Sequence, residues 1–219
     1  ENARDAGRDQ GLAEQIAAYR RLRPRYRDYA RLLHEHFESL AAELAPLTIV
    51  QSRAKTLAGF VEKVLRKRYT SPLDQMTDLS GVRIIARTRS EVQAFCDQIE
   101  SAFEVDWPNS QDAGRRLKPT EFGYRSVHYV VRPRSDREYP VAYPEDILPL
   151  WAEIQVRTTV QHAYADFAHD LSYKGAFSVP DQWKREMATV ASALEEADQT
   201  FTRLERRLRR YVDLSLIHI

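Results

Sequence analysis

The chain has 219 residues, with 33 lysines and arginines against 32 aspartates and glutamates and a formal net charge of +1. Hydrophobic residues make up 43% and charged residues 30%. That excludes a disordered chain, in which low hydrophobicity accompanies strong net charge. Near neutrality also excludes a protein that coats nucleic acid by bulk charge, and the length suffices to bury a core. The single cysteine, Cys96, can form neither an internal disulfide nor a thiolate zinc cluster, as expected in a reducing, cytoplasmic compartment. No apolar run approaches the roughly 20 residues that span a bilayer, so no membrane partner is expected. The charged start from Glu1 to Gln10 has no signal-peptide core. A start at Glu rather than Met is the one expected of a piece cut from a longer protein.

Leu12 to Leu44 reads as helix, with Tyr26, Tyr29, Leu33, Phe37, Leu40 and Leu44 recurring at three or four residues on one face. Pro24 either divides this stretch or starts its second helix, and Pro46 ends it. Thr48 to Gln51 is a short strand or extended entry, followed by a helix over Lys55 to Arg68. Val82 to Ala86 is a strand. Ser90 is the expected cap of a helix reaching about Ala102, and Phe103 to Trp107 is a second strand. Pro108 to Gly123 is a long loop, a length often tied to function. Strands follow over Ser126 to Arg132 and Trp151 to Arg157, with a polar, proline-marked connection between them. Thr158 to Ser172 and Val179 to Tyr211 are helical. In the last helix Val190, Leu194, Ala197, Phe201, Leu204, Leu208 and Tyr211 form an apolar stripe. It packs on the sheet, on the first helices or on another chain. The fold class implied is α+β, a mixed sheet of four to five strands flanked by helices. The expected organisation is an N-terminal helical region over 1–47, a central domain over 48–175 and a C-terminal helical region over 176–219.

The chain has no P-loop, no G-x-G-x-x-G, no G-x-S-x-G and no H-E-x-x-H. With seven glycines, side chains must do most of the phosphate holding. Polar clusters sit at strand edges: Ser52-Arg53-Ala54-Lys55, Asp78-Leu79-Ser80-Gly81-Val82-Arg83, Gly123-Tyr124-Arg125-Ser126-Val127-His128, and Glu153-Ile154-Gln155-Val156-Arg157-Thr158, continued by His162, His169, Tyr173 and Lys174. Alternation puts Glu153, Gln155 and Arg157 on one strand face and Ile154 and Val156 on the other. It likewise puts Ser126 and His128 opposite Val127. Such a polar row is costly to bury and useful in a cleft. Asp78 and Glu153, on separate strands, suit Mg²⁺, which takes a few carboxylate oxygens plus substrate phosphates. Arg53, Lys55, Arg83, Lys118, Arg125 and Arg157 complement a polyphosphate, and Tyr124 offers a ring face to a base. Singly, Asp78 reads equally well as a turn cap, Tyr124 as core, and each arginine as a solvated surface group. Their combination points to phosphoryl or nucleotidyl transfer.

These clusters, with His169-Asp170-Leu171-Ser172-Tyr173-Lys174, resemble in order the synthetase domain of the RelA/SpoT family, from about Thr48 to Lys174. The resemblance implies a nucleotidyltransferase-like synthetase fold. It implies transfer of the β,γ-diphosphate of ATP to the 3′-hydroxyl of GDP or GTP, giving (p)ppGpp and AMP with Mg²⁺ as cofactor. By position, Asp78 resembles the Mg²⁺ ligand and Glu153 the second acidic residue, which helps hold the metal and activates the hydroxyl. Arg53 and Arg83 resemble the pair that sandwiches adenine, Lys55 an ATP phosphate contact, and Tyr124 the ring stacked on the acceptor base. Lys118, Arg125, His128, Gln155, Arg157 and His162 would line the acceptor and phosphate pocket.

The family usually reads Lys-Pro-Asn-Gly-Tyr before the third cluster. Here Lys118-Pro119-Thr120-Glu121-Phe122-Gly123-Tyr124 is two residues longer and lacks the Asn. That motivates a second reading with the same donor chemistry, in which a toxin-type relative uses an adenosine nucleotide, making (p)ppApp, or the tRNA 3′ end. Arg203, Arg206, Arg207, Arg209 and Arg210 would then meet tRNA phosphates, against the plainer reading of a solvated helix face. A non-catalytic nucleotide-binding module is a third reading, and retention of both acidic residues argues against it. Through the flanking helices the resemblance implies a homo-oligomer or an antitoxin or immunity protein as partner.

Overall fold

The computed structural model describes residues 2–112, 126–173 and 180–217. Lys118, Tyr124, Arg125 and Lys174 lie outside them, as do the side chains of His169, Asp170 and Tyr173.

Helix α1 spans Asn2–Leu44 without interruption, and Pro24 lies inside it rather than at a boundary. An interior proline removes one helical hydrogen bond and costs about 3 kcal/mol. Tertiary anchors on both sides of Pro24 offset that cost. The Tyr19 hydroxyl donates to the Lys55 carbonyl at 2.6 Å, and Arg23 Nε donates to the same oxygen at 3.2 Å. Tyr19 and Tyr26 are buried with Phe60, Val64, Met76 and Leu79, while Tyr29, Leu33, Phe37 and Ala41 are buried against the sheet. One helix thus spans two apolar clusters, and local propensity at Pro24 is overruled by packing.

Strand β1 (Ile49–Ala54) runs further than the sequence suggests, because register pairs Ser52, Arg53 and Ala54 with Val82, Gly81 and Ser80. Helix α2 (Leu57–Lys67) is capped by Thr56, whose hydroxyl accepts from Gly59 N. It ends at Arg68 in the left-handed region, φ 54°. The short helix α3 (Pro72–Gln75) was not expected. Strand β2 (Ser80–Ala86) leads into helix α4 (Arg89–Ala102), capped by Thr88 and not by Ser90. Thr88 and Glu91 have capping-box spacing. Thr88 Oγ1 accepts from Glu91 N, and Glu91 Oε2 accepts from Arg87 N at 2.7 Å. Ser90 instead donates to Glu205 Oε2 at 2.9 Å.

Strand β3 is short, Phe103–Val105, ending before Trp107 in a turn where Ser110 Oγ donates to the Asp106 carbonyl. The two-residue β4 (Gln111–Asp112) pairs with β5 (Val127–Pro133), inside the stretch expected to be loop. Strand β6 (Ala152–Thr158) continues directly into helix α5 (Thr159–Tyr173), and helix α6 spans Asp181–Ile217.

The sheet order is β1-β2-β6-β5-β3, with β4 beside β5. Among the described residues only β2 and β6 pair in parallel; the other pairs are antiparallel. The fold is therefore α+β with a mixed sheet, as expected. Val82, Ile84, Ala86, Tyr129, Val131, Ile154 and Val156 form one sheet face, buried with Phe37 of α1 and Phe95 and Ile99 of α4. The opposite face carries the polar clusters. Among the described residues no helix is long and apolar enough to cross a membrane.

The stripe on α6 is not what α6 buries. Ala191, Asp198 and Thr202 are buried, whereas Phe201, Leu204, Leu208 and Tyr211 are more than half exposed. Arg89 Nε donates to Asp198 Oδ2 at 3.0 Å and Arg89 N to Thr202 Oγ1 at 3.2 Å. A polar latch to the start of α4, rather than an apolar seam, thus holds this part of α6.

Candidate active site

Adjacent strands β1, β2 and β6 place Gln51, Ser52, Arg53, Gly81, Arg83, Glu153 and Gln155 around one cleft of about 150 Å³, with Asp78 from the turn before β2. The parallel register sets Gly81 opposite Glu153 and Arg83 opposite Gln155. Gly81 suits this approach, because a Cβ there would lie 3.0 Å from the Glu153 carbonyl oxygen and the strands would have to give by a few tenths of an ångström.

Asp78 is held by two lysines. Lys55 Nζ lies 2.7 Å from Oδ2 and Lys63 Nζ 2.9 Å from Oδ1. Burial pushes the Asp78 carboxyl up, but the two ammonium groups outweigh it and hold its pKa below the ordinary 3.8. Lys63 was not singled out from the sequence. The available signal was its place on the polar side of α2, eight residues after Lys55 in a helix that begins at Leu57.

Glu153 Oε1 lies 2.8 Å from His128 Nδ1, a diagonal contact across the β5–β6 ladder in which His128 is paired with Gln155, and Gln155 Nε2 donates to Glu153 Oε2 at 3.3 Å. Burial raises the Glu153 carboxyl, and Asp78 raises it further by like charge. The hydrogen bonds and charge of His128 and the bond from Gln155 lower it more, so it titrates below the ordinary 4.5. Both carboxylates are thus ionised near neutral pH while repelling one another. Gln155 Oε1 accepts from Arg83 Nε at 3.4 Å and from Arg157 Nη2. Side chains therefore connect Arg83, Arg157, Gln155, Glu153 and His128 across three strands.

Arg53, Lys55, Asp78, Arg83, His128, Glu153, Gln155 and Arg157 all belong to this cleft or its hydrogen-bonded walls. Arg157 is nearly fully buried. His162 lies one turn into α5, on the side of Arg83 rather than of His128. Its Nε2 is 3.5 Å from Asp166 Oδ2, and Asp166 Oδ1 is 3.9 Å from Arg83 Nη1. Burial lowers the His162 pKa, Asp166 opposes that, and Arg157 and Arg83 add to it. Asp166 was missed because nothing in the local sequence of α5 points to a strand six elements earlier.

The model for the region found in RelA / SpoT proteins matches residues 52–177, the segment that supplies every cleft residue except Gln51. A curated relative, GTP pyrophosphokinase YwaC of Bacillus subtilis (strain 168), is 26% identical over 167 residues, covering 74% of this chain and 76% of the relative. The crystal structure of small alarmone synthetase 1 from Bacillus subtilis superposes with a TM-score of 0.71 at 21% identity, covering 89% of this chain and 99% of that one. The same protein bound to its product pppGpp gives 0.68 at 22%, covering 88% and 99%. Small alarmone synthetase 2 from Bacillus subtilis gives 0.64 at 22%, covering 89% and 98%. At these identities the superpositions establish the fold, and the family match covers more than half of the sequence: the chain belongs to the family defined by the region found in RelA / SpoT proteins.

Proposed function

We propose that this protein is an alarmone synthetase that transfers the β,γ-diphosphate of ATP to the 3′-hydroxyl of GDP or GTP, giving (p)ppGpp and AMP. The observation that carries the reading is the pairing of Asp78 and Glu153, both ionised, in one cleft walled by Arg53, Lys55, Lys63 and Arg83. The curated relative's name, a GTP pyrophosphokinase, and the pppGpp-bound neighbour support the guanosine acceptor.

The donor set fits Mg²⁺. Among the described residues no group of three or more metal-ligating side chains occurs, so protein ligands would be Asp78 and Glu153, with phosphate oxygens and water completing the shell. When bound, the ion supplies neutralisation of phosphate charge and lowers the mutual repulsion of the two carboxylates. Arg53 and Arg83 present guanidinium planes to the donor base. Lys55 and Lys63 exchange the Asp78 carboxylate for donor phosphate oxygens. Glu153, oriented by His128 and Gln155, accepts the proton of the acceptor 3′-hydroxyl. That oxygen bonds the β-phosphorus as the bond from the β-phosphorus to the bridging oxygen breaks, and AMP leaves with that oxygen. Arg157, through Gln155, adds positive charge on the same face. Lys118, Tyr124, Arg125 and His128 complete the acceptor side in this reading, and His162, first assigned there, belongs with Asp166 beside Arg83 on the donor side.

Residues 48–175 form the catalytic unit, and the flanking segments 1–47 and 176–219 support it and carry the partner surface. The exposed stripe Phe201, Leu204, Leu208 and Tyr211 suits a helix of a second copy or of an immunity-type protein. The intracellular nucleotide pool places the enzyme in the cytoplasm.

The deciding experiment incubates the protein with γ-labelled ATP, Mg²⁺ and a panel of GDP, GTP, ADP, ATP and deacylated tRNA. The expected result is AMP release with label on guanosine nucleotides. Label in new 3′-diphosphorylated adenosine nucleotides or in tRNA, with none on guanosine nucleotides, overturns the acceptor assignment, and nucleotide binding without AMP release overturns the enzyme.

A further inference from the structure

We propose that Asp166 is a positioning residue for the donor nucleotide, acting through Arg83; this rests on the donor-binding role given to Arg83 above. The Arg83 guanidinium is tethered at its inner end, where Nε meets Gln155 Oε1 at 3.4 Å. Gln155 Oε1 is shared with Arg157, so this tether alone does not fix the plane of the fork. Among the described residues the outer end meets a single carboxylate, Asp166 Oδ1, at 3.9 Å from Nη1. A guanidinium that stacks on a base must hold one plane, and each rotamer frozen before binding lowers the ordering cost at binding.

The element that carries Asp166 is fixed to the strand that carries Arg83. Thr158 Oγ1 accepts from Gln161 N, and Gln161 Oε1 accepts from Thr158 N, which closes the first turn of α5. Thr159 Oγ1 donates to the carbonyl of Ala86, at the end of β2, at 3.2 Å. Helix α5 is therefore pinned to β2 three residues beyond Arg83. His162, one turn before Asp166, lies with its Nε2 3.5 Å from the other carboxylate oxygen. Asp166 is mostly exposed while Arg83 is largely covered, which places the carboxylate at the mouth and the guanidinium within the cleft.

The test measures steady-state kinetics of the full chain for D166N, D166A and D166E, and for D166N combined with R83A, with ATP and acceptor varied separately at low and high salt. An exposed charge pair of this length predicts a rise in KM for ATP of about two- to fivefold in D166N and D166A at low salt. The kcat and the acceptor KM should stay near wild type, D166E should restore the ATP KM, and high salt should erase the difference. In the R83A background D166N should add nothing. An undiminished effect in R83A, a change confined to the acceptor KM, or no effect at low salt overturns the proposal. Absence of AMP release by the wild-type chain would instead overturn the functional reading. In that case affinity for a fluorescent ATP analogue still reports on Asp166, and equal binding by wild type and D166N overturns it.

Discussion

Gly81→Ala is the sharpest perturbation of the cleft. The added Cβ would lie 3.0 Å from the carbonyl oxygen of Glu153 and 4.0 Å from its carbonyl carbon and Cβ. An ordinary contact needs about 3.4 Å or more, so the strands must separate locally by roughly 0.4 Å. The obstructing atom is backbone in a parallel ladder, which cannot rotate away as a side chain can. Overpacking of this kind costs about 1–2 kcal/mol, a fall in Tm of about 3–6 °C for a chain of this size. The larger effect is on catalysis, because the residue pushed aside carries the carboxylate hydrogen-bonded to His128 and Gln155. A displacement of 1 Å can cost about 10²-fold, so a shift of a few tenths predicts roughly a tenfold fall in kcat with a smaller change in the KM for ATP. Thermal unfolding and AMP release measured on the same preparation test both parts. An alanine variant with wild-type Tm and a kcat within about twofold of wild type would refute the close approach of β2 to β6 as the reason for glycine here.

Three further outcomes are expected. His36 is buried among Phe37, Phe103, Tyr139 and Tyr143, and burial lowers its pKa from 6.5 to about 4. Below pH 6.5 the unfolded chain binds a proton that the folded chain refuses, so stability is lost between pH 6.5 and 4. His36→Phe should remove about 2 kcal/mol of this loss at pH 5 and little at pH 8, as read from Tm at the two pH values. Asp78 and Glu153 both titrate below their ordinary values. They therefore contribute stability that is present above the unfolded carboxylate range and lost as pH falls through the folded values. Lys63→Met should shift the acid limb of the kcat/KM profile to higher pH, and an unmoved limb would remove Lys63 from the control of Asp78. Asp198 is almost fully buried against Arg89, and Asp198→Ala should cost about 2 kcal/mol and free the α6 backbone to exchange. Unchanged exchange along α6 would show that this latch does not hold the helix.

The sequence by itself settled the class and the cleft face. Period-two alternation in Glu153 to Arg157 separates core from polar positions whatever the partner strands are. The full burial of Ile154 and Val156 against the partial exposure of Glu153 and Gln155 follows it. The spacing of Tyr29, Leu33 and Phe37 likewise marks the face of α1 that meets the sheet. Motif order along the chain pointed to the family, because each cluster sits on its own strand edge. What local pattern cannot carry is distance in space. Pro24 reads as a breaker because its cost is local, and the contacts that offset it come from Lys55 and Phe60. The α6 stripe reads as a packing face by its period, on this chain or another, but a buried polar latch from Arg89 to Asp198 turned the neighbouring face of the helix inward. Lys63 and Asp166 acquire meaning only once α2 is laid beside Asp78 and α5 is pinned to β2. Charge pairs depend on separations of a few ångströms, and only the tertiary fold decides which residues meet at that range.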